Sequence, residues 1–297
     1  MTPSHLSTSA IPIASIDVQF ADGPGKIHAI STGQVQVKRG FRDAKGGPLT
    51  SKIRFLMEKV FTEWMPIWVW VIEHPEGVFV VDTGENAQVT KAGYFANEPA
   101  FLRWVNKTQF RFRVEPEEEI GPQLQQLGID NSQLNSVILT HLHLDHFDGL
   151  RHVEGVPVLV NRLEWDKPSS ALPSLYPDWF SPTLLDLEPT DMAGFSGKSL
   201  TQSGELMMVA TPGHTHGHIS VLLQTQDLHY LFAGDATYNQ SQLIHNQMSA
   251  ASASFKQARF SIIRIQAYSR AHPLIYLPSH DQDVAERLMQ GWVLEIR

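Results

Sequence analysis

The 297-residue chain contains no cysteine. Disulfides are therefore excluded, and so are thiolate metal sites and cysteine nucleophiles. The compartment stays open on that ground, because a cysteine-free protein tolerates both cytosol and periplasm. Basic clusters are also missing. Lys and Arg number 23 against 31 Asp and Glu, a net charge of −8. That balance serves solubility and argues against nucleic-acid binding, which draws on a basic face. The opening stretch MTPSHLSTSAIPIASIDVQF holds no Lys or Arg, so it lacks the basic start of a secretory signal. The longest strongly apolar run, Trp64 to Ile72, is far too short to span a bilayer. No internal repeat and no low-complexity linker divides the chain. The expectation is a soluble, cytoplasmic protein with residues 1–297 as one domain.

What is present reads as strands in runs, with helices between and after them. Strand character falls at 26–31, 34–38, 67–72 and 77–81, the last two joined by a hairpin turn at EHPEG. Further short strands are expected at 136–140, 156–160, 205–210, 218–223, 230–233 and 274–277. Helices are expected at 117–127, with acidic residues in its first turn and Gly128 as its cap, at 255–271, and at 283–290. The 255–271 helix should stop before His272-Pro273, because proline disfavours helix in the residue before it. Residues 86–114 mix aromatics with polar residues and show no clean alternation, and 167–190 is a proline-rich excursion. The class is α/β. Two packed sheets with helices outside satisfy the pattern, and so does one mixed sheet.

The densest chemistry lies in THLHLDHFDGL, residues 140–150. Imidazole nitrogens and carboxylates are ligands of zinc and similar cations. His141 and His143 stand two apart at a strand end, so both side chains can point one way. Asp145 and His146 lie beyond, where the chain turns. One ion could be held by the first pair and a second by the other. The alternative is a solvated histidine-rich loop, but a chance match to H-x-H-x-D-H in this composition is on the order of 10⁻³. Further His or Asp residues follow apolar runs in TPGHTHGHIS (211–220), LFAGDATY (231–238) and YLPSHDQD (276–283).

The order VDTG (81–84), THLHLDH (140–146), TPGHTHGH (211–218), AGDA (233–236) and PSHD (278–281) resembles the metallo-β-lactamase fold hydrolases. The resemblance implies an αββα sandwich with the metals at one edge between two mixed β-sheets. It implies two divalent metal ions per chain, zinc favoured. One would be held by His141, His143 and His214, the other by Asp145, His146 and His280, with Asp235 bridging them. His216 reads as a loop residue, and His218 as a hydrogen-bonding neighbour behind the ligands. Asp82 should orient loops or ligands. Asp148 is expected to face solvent or to support the ligands from behind.

Tyr238, three residues after Asp235, is similar to the tyrosine of the N-acyl-homoserine lactone lactonases in that superfamily; its alternative is a core aromatic. That resemblance implies lactone opening by a hydroxide bridging the metals, with Tyr238 donating to the carbonyl oxygen and Asp145 returning a proton to the leaving alkoxide. A small-molecule acyl lactone is then the partner, without nucleic acid or membrane, and a homodimer is allowed. The acyl chain needs an apolar groove. A substrate-capping insertion around 86–113 is expected to wall it, with Trp64, Met65, Phe95 and Trp104 as candidate contacts and Trp179 and Phe180 as outlying ones. Another lactonase, a glyoxalase II-like thioesterase, an organophosphate hydrolase and a single-iron dioxygenase using His141, His143 and Asp235 are the competing readings. The tail after His280 offers only Arg287 and Arg297 to a glutathione moiety, which weighs against the thioesterase.

Overall fold

The computed structural model describes residues 13–296, apart from 48–49, 52–53, 55–56 and 193. Most of the opening stretch weighed above, residues 1–12, lies outside the described residues. The first sheet holds eight strands. They are β1 (Ala14–Phe20), β2 (Gly23–Val37), β3 (Met65–His74), β4 (Gly77–Val81), β5 (Phe110–Arg113), β6 (Leu134–Ile138), β7 (Val158–Asn161) and β8 (Thr183–Leu185). Their order is β1-β2-β3-β4-β6-β7-β8, with β5 laid along β2. The second sheet holds β9 (Glu188–Pro189), β10 (Ser196–Ser199), β11 (Leu206–Ala210), β12 (Ile219–Gln224), β13 (His229–Gly234) and β14 (Leu274–Pro278), in the order β14-β13-β12-β11-β10-β9. Both sheets are mixed: β4, β6, β7 and β8 run parallel in the first, β13 and β14 in the second.

The facing sides of the sheets carry the apolar members of each alternation. Ile27, Trp68, Trp70 and Ile72 of the first meet Val221, Leu223, Phe232 and Leu277 of the second. The rings of Trp70 and Phe232 stand 5.4 Å apart. Burying side chains of this kind contributes about 1.5–3 kcal/mol each, which fastens the sheets together. The outer faces are apolar too, so each takes a helical cover. Ile120 and Leu124 of the helix Ile120–Leu127 pack on the first. Ile262, Ile265 and Tyr268 of the helix Phe255–Ala271 pack on the second. The chain is an αββα sandwich: its strands pair into two separate sheets that share an apolar core, not into a single sheet.

Some elements differ from expectation. β2 is one long strand, with an irregularity between Ser31 and Gln34 where two strands were expected. β1 was not anticipated. The helix after Pro116 starts at Ile120, behind a short 3-10 turn Pro116–Glu118, so Glu117 and Glu118 precede its first turn. Gly128 does close it, in the left-handed region at φ 74°. The helix Phe255–Ala271 has the expected bounds, and the Ser254 hydroxyl accepts from the Gln257 N–H at its start.

Strand direction gathers the chemistry. β4 and β6 are parallel; β11, β13 and β14 share a direction, since two antiparallel steps restore it. The loops bearing Asp82, His141 to His146, His214, Asp235 and His280 therefore leave carboxyl ends of strands and meet at one edge between the sheets. Backbone bonds cross the seam there: Ile219 N–H donates to Thr140 O at 3.0 Å and Trp68 N–H to Ser279 O at 2.9 Å. Among the described residues, no helix is long and apolar enough to cross a membrane.

Candidate metal centre

The 139–148 loop follows β6 and turns into the short helix Leu144–Phe147. It presents His141, His143, Asp145 and His146 inward. The 211–218 loop brings His214, Gly234 releases Asp235 from β13, and His280 follows β14. Gly234 is needed there: it sits at φ 53°, and a Cβ would stand 2.8 Å from His218 Nε2 and 2.9 Å from Thr140.

The donor atoms converge in two clusters. His143 Nδ1 lies 3.0 Å from His141 Nε2 and 2.9 Å from His214 Nε2. His280 Nε2 lies 3.3 Å from Asp145 Oδ2, and His146 Nε2 3.7 Å from Asp145 Oδ1. Asp235 stands between the clusters. Its Oδ2 is 3.3 Å from His214 Nε2; its Oδ1 is 3.3 Å from His280 Nε2 and 3.5 Å from His146 Nε2. Within each of three residue sets, the donor atoms all lie within 4.8 Å of one another. The sets are His141, His143 and His214; His141, His146 and Asp235; and Asp145, His146 and His280.

Four of the five histidines spend their outward nitrogens on other partners; the exception is His214, whose Nδ1 is buried without one. His143 Nε2–H donates to Ser169 O at 2.8 Å, His146 Nδ1–H to Asp82 Oδ2 at 2.8 Å, and His280 Nδ1–H to Pro66 O at 2.9 Å. His141 Nδ1 meets the Thr140 hydroxyl at 3.1 Å. When one of these four rings is neutral, its inward nitrogen is a lone pair. His146 Nε2 and Asp235 Oδ1 are buried with no hydrogen-bond partner. Lone pairs and orphaned carboxylate oxygens facing one another are costly unless something positive joins them. This donor set fits divalent cations of the zinc type.

Asp82 carries much of the support. It follows β4 at φ 61°, a left-handed conformation that aspartate tolerates. Its carboxylate accepts from Thr140 N–H at 2.7 Å, Thr140 Oγ1 at 2.9 Å and His146. His218 supports Asp235 from behind: Nε2 accepts the Asp235 N–H at 3.0 Å while Nδ1 meets Thr211 O at 3.1 Å. Burial pushes His218 down to about 3, so it stays neutral. His216 is in none of the donor clusters. Asp148 is buried, accepting from Tyr94 Oη at 2.6 Å and from Asn86 Nδ2. It faces neither solvent nor a ligand.

Charge is distributed accordingly. Burial, then neighbouring histidines, hold His141 well below the usual imidazole range. Burial lowers His143 and His214 too. Burial also works against charge on His146 and His280, but nearby carboxylates outweigh it: Asp82 leads for His146, which lies well above its ordinary value, and Asp235 for His280, raised to about 10. Burial favours a protonated Asp145, yet His146 and His280 hold it at about 2. Asp235 is likewise ionised, chiefly through His280 and His214.

Tyr238 packs with Val35, Val37, Met65 and Ile67, its ring centroid 5.3 Å from that of His280. Burial and then Asp235 hold its phenol well above the ordinary value, so it remains a donor. It lines a cavity of about 440 Å³ that also touches His143, Asp145, Asp235 and His280. The rest of the wall is mostly apolar: Val37 and Phe41, then Phe101, Leu102, Val105, Phe110 and Phe112 from residues 86–113, with Leu144, Leu172, Ala250 and Ala251, and with Asn106 and Ser170 as its polar members. The sequence candidates lie nearby but elsewhere. Met65 backs Tyr238 in the core, and Trp64 lies under the Arg113 guanidinium. Phe95 is buried against Tyr94. Trp104 is exposed, stacked on Phe101. Trp179 and Phe180 pack in the core of the first sheet's outer face. Val37 and Phe41 gave no sequence signal beyond ordinary apolar character; for Leu102 and Val105 the available signal is their three-residue spacing on one helix face.

The family model of the metallo-beta-lactamase superfamily matches residues 62–281. The chain belongs to that superfamily. Among its relatives, the N-acyl homoserine lactonase AttM of Rhizobium radiobacter is 25% identical over 231 residues, covering 74% of this chain and 83% of its own. The fold is shared with an N-acyl homoserine lactone hydrolase solved with the product N-hexanoyl-L-homoserine at its catalytic metal centre. That match has a TM-score of 0.70 at 19% identity, over 90% of this chain and 95% of the other. AidC, a dizinc quorum-quenching lactonase, superimposes with a TM-score of 0.59 at 13% identity, over 91% of both chains.

Proposed function

We propose that this chain is a metal-dependent lactone hydrolase that opens the ring of N-acyl-homoserine lactones, using two divalent cations with zinc favoured. The observation that carries this reading is a shared wall. The apolar cavity, Tyr238 and the donors His143, Asp145, Asp235 and His280 all border one space. A volume of about 440 Å³ suits a small ring bearing an acyl tail. The lactonase relatives support the same substrate class.

His141, His143 and His214 would hold one cation and Asp145, His146 and His280 the other, with Asp235 offering one oxygen to each. Bound there, a cation pair supplies Lewis acidity and water acidified to a hydroxide nucleophile near neutral pH. Tyr238 keeps its proton and aims it at the oxygen where negative charge develops. Its ring packs among Val35, Val37, Met65 and Ile67, and apolar surroundings strengthen such a hydrogen bond. Asp145 is ionised and borders the cavity, so it can take up a proton and return it to the alkoxide as the ring opens. The roof over 86–113 would enclose the acyl tail; in this reading residues 1–297 form one domain and 86–113 its substrate cap.

The test is a substrate panel. Hexanoyl- and decanoyl-homoserine lactone should be turned over with release of one proton each, and acid should re-close the product ring. Inert homoserine lactones beside rapid turnover of a cephalosporin, a glutathione thioester or a phosphotriester would replace the lactonase reading.

A further inference from the structure

We infer that Glu164 is a positioning residue: it clamps together the loops bearing His141, His143 and His214 and thereby sets that cluster's affinity for its cation. The inference rests on the metal-centre reading above. Glu164 lies on the short helix Arg162–Asp166 after β7 and is 1% exposed. Its Oε1 accepts from Leu142 N–H at 3.0 Å, the residue between His141 and His143. Its Oε2 accepts from Thr215 Oγ1 at 2.6 Å and Gly217 N–H at 3.1 Å, just after His214. One loop leaves the first sheet and the other the second. A single carboxylate thus spans the seam that the three histidines must close.

Two further features fit a clamp. Asn161, at the start of the same helix, donates through Nδ2 to Gly217 O at 2.7 Å. Gly217 packs directly on the helix backbone, where a Cβ would stand 2.0 Å from Glu164 N. His214 has particular need of such support. Its Nδ1 is buried with no hydrogen-bond partner, whereas His143, His146 and His280 are each held through their outward nitrogen. The His214 ring is therefore oriented through its loop. The carboxylate is also specific. Donors converge on both oxygens, while an amide offers one acceptor oxygen and would turn an NH2 toward a donor. Glu164 does not line the cavity, so it acts through the histidines and not on substrate.

The test uses the full chain loaded with cobalt(II), read by the hyperfine-shifted imidazole N–H resonances. His141, His143 and His214 mark one cation and His146 and His280 the other. In Glu164→Gln the affinity of the three-histidine cluster should fall by about 10–100-fold. Its resonances should be missing at cobalt concentrations that saturate the unsubstituted protein, while those of His146 and His280 persist. Thr215→Val removes one donor without a change of shape and should shift the same cluster the same way by less. It decides the matter if Glu164→Gln does not fold. Unchanged isotherms, or equal weakening at both clusters, would overturn the clamp. Failure of the unsubstituted protein to take up cobalt would instead overturn the metal centre beneath it.

Discussion

At the scale of single residues, Tyr238 and the paired histidines carry the sharpest consequences. Tyr238→Phe leaves every donor cluster intact and removes one hydroxyl. It should keep both metals by elemental analysis and lose kcat by roughly 10–10³-fold; unchanged turnover would reduce the side chain to packing. His146 and His280 lead to a pH prediction. Without a cation both are protonated at neutral pH, His280 up to about 10. Because their outward nitrogens donate to Asp82 and Pro66, the extra proton occupies the nitrogen that would bind metal. Protons therefore compete with the cation, and apparent affinity should rise with pH through neutrality and level off near pH 10. Calorimetry of zinc binding in buffers of different ionisation enthalpy should show net proton release at pH 7; an affinity independent of pH would contradict it. His141, His143, Asp145 and His146 were legible from residue type and spacing, whereas His214, Asp235 and His280 were singled out as donors by the resemblance of their motifs. Glu164 was not legible. One glutamate in NRLEWD looks like any helix residue until tertiary contacts place its oxygens against two distant loops.

At the scale of elements, the roof is the telling case. Residues 86–113 showed aromatics without strand alternation, and they fold as a 3-10 turn Ala87–Thr90, a helix Ala100–Gln109 and strand β5. Which aromatics face the cavity was not readable, because that depends on how the helix rolls against the sheet. Trp104 turned outward onto Phe101, and Leu102 and Val105 turned in. Each buried methylene is worth up to about 0.8 kcal/mol, roughly fourfold in binding. Leu102→Ala should therefore lower kcat/KM for decanoyl-homoserine lactone roughly fourfold or more and leave butanoyl-homoserine lactone nearly unchanged. Equal effects on both would place the acyl tail elsewhere. Continuous apolar runs such as Trp68 to Ile72 were plain strands because both faces are covered. β1 was harder. Ala14, Ile16, Val18 and Phe20 alternate with Ser15, Asp17 and Gln19, a half-buried pattern at an edge, paired among the described residues with β2 alone.

At the scale of the whole molecule, the fold's contribution is convergence. Two sheets held by a common apolar slab bring the ends of β4, β6, β11, β13 and β14 to one edge, so residues from 82 to 280 share one site. Periodicity supplied the strands, but the choice of two sheets over one came from the order of the metal motifs, since strand lengths alone do not encode packing. Metal occupancy of that site and turnover should be coupled. Metal-free protein should be titrated with zinc while the opening of hexanoyl-homoserine lactone is followed by proton release. Hydrolysis should be negligible without metal, and the rate should climb to saturation at two equivalents per chain. Saturation at one equivalent, or hydrolysis that persists after the metal is stripped, would contradict this.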